Sequence, residues 1–110
     1  MIKFMLDTNI CIYIIKQKPQ NVIERFRQVQ VSEIGISSIT LSELEYGVMK
    51  SAKPGQNKLA LAQFIAPIEI SAYDDVAAHA LSINSVLITN NESEFKRISN
   101  LKIENWAKME

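Results

Sequence analysis

The sequence predicts an α/β protein, three layers of α/β/α built on a short parallel sheet. Three observations predict it. Short apolar runs of strand length alternate along the chain with segments whose apolar residues recur at helical spacing. That alternation is the signature of a parallel sheet covered on both faces. The chain of 110 residues, 47% hydrophobic and 22% charged, is long and apolar enough for one core. Finally, acidic and amide side chains fall just after several of the strand-like runs, where ligands gather in open α/β sheets.

Ile2 to Leu6 is an apolar run that reads as the first strand, closed by Asp7-Thr8-Asn9. Ile10 to Lys18 reads as a helix apolar on most sides (Ile10, Ile12, Ile14, Ile15), which calls for burial or a partner. Pro19 stops it. Asn21-Val22-Ile23-Glu24 has capping spacing and opens a second helix with Ile23 and Phe26 on one face. Val31 to Ser37 alternates through Ile34 and Ile36 as a strand. Thr40 to Lys50 is a third helix with Leu41, Leu44 and Val48 inward. Pro54-Gly55 reads as a turn. Gln56 to Ala66 is a fourth helix striped by Leu61, Phe64 and Ile65. Ile68 to Ser71 is a short strand, Asp75 to Ile83 a short helix, and Ser85 to Thr89 a strand ending at Asn90-Asn91. Glu92 to Ile98 is a brief helix, and Leu101 to Glu104 a last edge strand. One domain over residues 1–110 is expected.

The formal net charge is zero, so no global basic field points to nucleic acid. A polyanion must be held by a local patch or through a metal. Lys16, Lys18, Lys50, Lys53 and Lys58 are available for a phosphate groove, although scattered surface lysines are the ordinary case. Cys11 is the only cysteine, which excludes an internal disulfide framework, and its apolar surroundings favour a buried thiol over a nucleophile. The N-terminus reads as strand from Ile2, so no signal peptide is expected, and no apolar run is long enough to span a bilayer. The expected location is cytoplasmic.

The acids carry the chemistry. Asp7 follows the first strand, Glu43 lies in the first turn of the helix after the second, and Asn91 and Glu94 follow the strand Ser85 to Thr89. In a parallel sheet these positions share one rim. Clustered carboxylates raise one another's pKa unless a cation neutralises them. Mg2+ or Mn2+ does so with one or two carboxylates and several waters, and can activate a water for in-line attack on a phosphate. Each residue also has a plainer role. Asp7 suits an N-cap, while Thr40-x-x-Glu43 and Asn91-x-x-Glu94 have capping-box spacing. Isolated His79 suits a solvated helix position.

Several stretches, taken in order, resemble one family. They are Met5-Leu6-Asp7-Thr8-Asn9, then Ile36-Ser37-Ser38-Ile39-Thr40-Leu41-Ser42-Glu43-Leu44-Glu45-Tyr46-Gly47. Ala77-Ala78-His79-Ala80-Leu81 follows, with Leu87-Ile88-Thr89-Asn90-Asn91, Glu94-Phe95 and the closing Ile103-Glu104-Asn105-Trp106. Together they resemble the PIN-domain ribonucleases, specifically the VapC toxins of bacterial toxin–antitoxin pairs. The resemblance covers nearly the whole chain. It implies a Mg2+-dependent endoribonuclease that cleaves RNA. A VapB-like antitoxin would hold it inactive, and the expected assembly is a homodimer or a toxin–antitoxin hetero-oligomer. Asp7 and Glu43 match the family's first two acids, Asn91 the position after the fourth strand, and Glu94 the acid in the following turn. An apolar antitoxin groove is expected along the first and third helices, at Ile12, Ile15, Leu44 and Tyr46.

One departure from the family is large. The pattern of a third aspartate ahead of Ile-Ala-Ala reads here Tyr73-Asp74-Asp75-Val76-Ala77-Ala78, with Tyr73 where the aspartate belongs. About 25 residues, enough for several helical turns, are absent relative to the family, and one covering helix segment with them. Ala72 to Ser85 still supplies the dozen residues that a parallel crossover needs. Asp74 is then the candidate third metal ligand, offset by one position, with N-capping as its alternative role. Two readings follow: a metal-dependent ribonuclease, active or weakly active, and an inactive remnant that still binds its antitoxin or itself. A PIN-like DNA nuclease is a third.

Overall fold

The first strand shows how the pleat distributes the core. Successive side chains of a strand point to opposite faces. Accordingly, Phe4 and Leu6 pack into one hydrophobic cluster and Met5 into another. The same alternation holds on the neighbouring strand, where Val86 and Ile88 join the first cluster and Leu87 the second. The structure, a computed structural model, describes residues 2–72, 80, 85–96, 98 and 100–107.

In chain order the elements are β1 (Phe4–Leu6), α1 (Thr8–Lys16), α2 (Gln20–Gln28), a 3-10 turn (Val31–Glu33), β2 (Ile34–Ser37), α3 (Ser38–Lys50) and α4 (Pro54–Ile65). Then come β3 (Glu69–Ser71), β4 (Val86–Ile88), α5 (Glu92–Phe95) and β5 (Lys102–Glu104). The five strands form one sheet in the order β3-β2-β1-β4-β5, every neighbouring pair parallel. Phe4 lies opposite Ile34 on one side and Val86 on the other. The chain builds outward from β1 through β2 to β3, then returns to place β4 on the opposite side of β1. The switch point of the sheet is therefore between β1 and β4, and a crevice opens beyond their carboxyl ends.

Helices α1 to α4 contribute Ile10, Cys11, Ile14, Val22, Ile23, Leu44 and Leu61 to the larger cluster, which Leu6, Ile34, Ile36, Ile68, Ile88 and Trp106 complete. The smaller cluster on the other face joins Ile2, Met5, Ala80 and Leu87, with Phe95 and Leu101 packed against it. Gly35 serves a close approach there. A Cβ at this position would lie 2.4 Å from Cδ1 of Ile2. Cys11 is buried and free, and burial pushes its thiol pKa far up, as expected for a structural cysteine. Among the described residues, no helix is long and apolar enough to cross a membrane.

Several element boundaries correct the sequence expectations. Val31–Glu33 is a 3-10 turn rather than strand, so β2 begins at Ile34. Helix α2 starts at Gln20 after an N-cap at Pro19, which leaves Asn21 inside the helix instead of capping it. Pro54 is the first residue of α4, the position where its missing N–H costs nothing, and not part of a turn. Helix α5 ends at Phe95, short of Ile98. Leu44 is buried in the core and cannot line an open groove, whereas Tyr46 is exposed. The expected helix from Asp75 to Ile83 lies outside the described residues except for Ala80, which is buried.

Candidate active site at the carboxyl ends of β1 and β4

Asp7 stands one residue beyond β1, at the switch point. Its backbone N–H still donates to the Ile88 carbonyl of β4 at 3.0 Å, so the turn into α1 starts from a fixed strand end. One carboxylate oxygen, Oδ1, caps α1 by accepting from the Ile10 N–H at 3.1 Å. The other, Oδ2, accepts from the Thr89 hydroxyl. Thr89 lies one residue beyond β4 and is fully buried. Its own oxygen accepts from the Asn91 N–H at 2.9 Å. A chain of hydrogen bonds thus runs from the start of α5 through Thr89 to Asp7.

Burial pushes the Asp7 carboxyl above its ordinary value, and the negative charge of Glu43 adds to that. The hydrogen bonds from Thr89 and from the Ile10 and Asn9 backbone act the other way but do not prevail. Among the described residues, neither Asp7 nor Glu43 forms an ion pair with a lysine or arginine. Two nearby carboxylates, one half-buried, are therefore left to repel each other.

Glu43 reaches this place from α3. Ser37 caps that helix, its hydroxyl oxygen accepting from the Thr40 N–H at 3.0 Å. Thr40 is thereby the third helical residue and not the cap, and Glu43 sits in the second turn. The expectation that Glu43 lies in the first turn, with Thr40-x-x-Glu43 as a capping box, is corrected, and the capping role for Glu43 falls with it. Its Oε1 accepts from the Thr8 hydroxyl at 2.8 Å. Thr8, adjacent to Asp7 in the chain, bridges the two acids.

Asn91 is the exposed N-cap residue of α5, on the same rim. Glu94 lies within α5, but its side chain is outside the described residues, as are Tyr73, Asp74, Asp75 and His79. Of the residues singled out from sequence, the structure brings Asp7 and Glu43 together and sets Asn91 beside them through Thr89. Among the described residues, no group of three or more acidic, histidine or cysteine side chains is placed to share a metal. Two carboxylates remain a fit for Mg2+ or Mn2+, which take one or two and keep several waters.

Thr89, Thr8 and a run of amides were missed in the sequence. Asn9 Nδ2 donates to Asn90 Oδ1 at 3.4 Å, and Asn90 Nδ2 donates to the Tyr13 hydroxyl oxygen at 2.8 Å. The available signal was position alone: Thr89 and Asn90 follow β4 as Asp7 follows β1.

This combination, a five-stranded parallel sheet with carboxylates gathered at its switch point, has close counterparts. The chain matches the PIN domain over residues 4–76, and it is a PIN-domain protein. The tRNA(fMet)-specific endonuclease VapC of Salmonella typhimurium is 39% identical, with 97% of this chain and all of that protein aligned. Ribonuclease VapC2 of Rickettsia felis is 37% identical, with 96% and 98% aligned. A solved VapBC complex from Salmonella typhimurium bound to DNA superposes with a TM-score of 0.83 at 40% identity, covering 96% of this chain and 99% of that one. Within the PIN-domain class, the chain belongs to the VapC family. The alignment with the Salmonella VapC runs over 133 positions against 110 residues here. With both chains covered almost end to end, at least 23 positions of the relative lack a counterpart inside this one.

Proposed function

We propose that this protein is a Mg2+- or Mn2+-dependent endoribonuclease toxin, held in check by a VapB-like antitoxin in a hetero-oligomer and acting in the cytoplasm. The observation that carries the reading is the half-buried Asp7 carboxylate, raised in pKa beside Glu43 and unpaired with any described cation. Asp7 and Glu43 are the residues that would hold the metal, with Asp74 as the candidate third ligand. A bound ion supplies charge neutralisation at the phosphate and a water of lowered pKa. The chain's own residues do the rest. Thr89 fixes the rotamer of Asp7, Thr8 fixes Glu43, Asn91 lies on the same rim, and Glu94 is the further candidate for orienting the attacking water.

The relatives support the substrate and the partner. They are named ribonucleases, and the superposing Salmonella structure is a VapBC complex. Weakened activity follows from the internal shortfall together with Tyr73 at the third aspartate's register. Misplacing a reacting group by about 1 Å can cost about 100-fold in rate. That same shortfall favours a second reading, an inactive PIN remnant that still binds its antitoxin or a second copy of itself. Cleavage of single-stranded RNA in Mn2+ separates the two. Activity abolished by chelator and by Asp7→Asn supports the enzyme. A pure chain that binds antitoxin but leaves RNA intact at any Mn2+ concentration supports the remnant.

A further inference from the structure

A cavity of about 410 Å³ is lined by Ile12, Tyr13, Lys16, Lys18 and Pro19. It lies at the carboxyl end of α1, the helix whose amino end is Asp7. Tyr13 is six residues beyond Asp7 and Lys16 nine, which places them about 9 Å and about 14 Å along the helix axis. The cavity is tied to the rim of the site. Asn9, in the first turn of α1, holds Asn90, and Asn90 holds the Tyr13 hydroxyl. The ring is thus oriented by the same segment that carries Thr89.

The lining has two characters. Ile12, Pro19 and the Tyr13 ring make an apolar wall, and Lys16 and Lys18 stand exposed at it. Neither lysine is in an ion pair with a described acid. Single-stranded nucleic acid is held by this combination, an aromatic face for a base and cations for the backbone. In a chain of zero net charge, a local pair of lysines is what can hold a polyanion.

We propose that this cavity is a nucleotide subsite for the single-stranded RNA substrate, with Tyr13 as the base platform and Lys16 and Lys18 on the adjacent phosphates. The proposal rests on the ribonuclease reading above and adds the direction in which the strand leaves the carboxylates, along α1. Lys16, Lys18 and Tyr13 act here in binding and touch no reacting atom. A protein segment docking in the same cavity is the competing occupant. The free lysines favour the polyanion.

The test measures binding and cleavage separately. A fluorescein-labelled single-stranded RNA decamer is titrated in EDTA, where nothing is cut, and read by anisotropy. The exposed pair Lys16→Ala/Lys18→Ala should raise Kd about tenfold and flatten the salt dependence by roughly 1.4 in log–log slope, about 0.7 per lost phosphate contact. The control pair Arg27→Ala/Lys102→Ala removes the same charge from exposed positions elsewhere and should stay within about twofold of the unmodified chain. In Mn2+, the Lys16/Lys18 pair should raise KM and leave kcat unchanged. RNA affinity insensitive to Lys16 and Lys18, or equally sensitive to the control pair, overturns the subsite even if the chain cleaves RNA. Loss of antitoxin capture with RNA affinity intact also overturns it, and assigns the cavity to a protein. A chain that cuts nothing yet binds RNA through these lysines sustains the subsite while the catalytic reading fails.

Discussion

Thr89 donates its hydroxyl hydrogen to Asp7 across 82 positions of sequence, and both residues stand one step beyond adjacent parallel strands. The strand pairing of β1 with β4 fixes that contact before any ligand arrives. The carboxylate is therefore held in one orientation by the fold, with one oxygen on the helix cap and the other on Thr89.

Thr89→Val tests how much that orientation matters. Valine keeps the shape and removes the hydroxyl, so Asp7 loses a donor and the Asn91 N–H loses its acceptor. A hydrogen bond to a charged group contributes about 1.5–3 kcal/mol, and a loss of that order is expected in urea unfolding. Mn2+ affinity, read by calorimetry, should fall several-fold, because the carboxylate is both less acidic and less fixed. Thr89→Ser should restore both. Equal behaviour of the serine and valine variants would show that the hydroxyl is idle.

Metal binding should carry the pH signature of Asp7. Its folded pKa is raised, so without metal its contribution to stability is fully present below the unfolded value and is lost as pH rises through the folded one. A cation reverses this by favouring the ionised form. The rise in melting temperature on adding Mn2+ should be absent in acid and grow as pH passes the raised pKa. Asp7→Asn keeps an oxygen for the Ile10 N–H and removes the charge. It should abolish the Mn2+ response, while the metal-free variant at neutral pH should be at least as stable as the unmodified chain. A pH-independent Mn2+ response, or one that survives Asp7→Asn, would return Asp7 to capping alone.

Gly35→Ala should destabilise by about 1–3 kcal/mol, the usual cost of overpacking. The new methyl meets Cδ1, Cγ1 and Cγ2 of Ile2, all within 3.1 Å, so the whole Ile2 side chain must move. Ile2→Ala alone opens a cavity in the smaller cluster at about 2–5 kcal/mol. Combined, the two should cost less than their sum, because each relieves the other. Strict additivity in denaturant titrations would mean that Ile2 gives way freely.

Much of this was legible in the sequence because β1, β2 and β4 are apolar on both faces and separated by helical periods. Asp7 was legible because a strand end in a parallel sheet is a defined place. What misled was local capping spacing. Thr40-x-x-Glu43 fits a capping box, yet Ser37 three residues earlier makes the actual cap and shifts Glu43 a full turn into the helix. Asn21 was outcompeted in the same way by a helix that begins after Pro19. Such signals are short and recur, so the choice among them is made by where the preceding element releases the chain. Thr89 and Asn90 carried only the signal of position, after a strand, because their roles depend on the pairing of β4 with β1.

The last expectation concerns the third acid. Asp74 and Asp75 lie one and two residues after Tyr73, the position where the resemblance puts a third aspartate. A helix turns about 100° per residue, so a one-residue offset aims a carboxylate away from Asp7 and Glu43 unless the backbone adjusts. If Asp74 compensates, Asp74→Ala should lower Mn2+ affinity and RNA cleavage by tenfold or more, and Asp75→Ala should not. If Asp74 only caps a helix, Asp74→Ala should cost about 1 kcal/mol of stability and leave metal affinity alone. Inserting the segment found in the Salmonella relative should then raise cleavage about 100-fold, the scale of a misplaced reacting group. Activity already at the level of the restored chain, and untouched by either alanine, would show that Asp7 and Glu43 suffice and that the third acid is dispensable here.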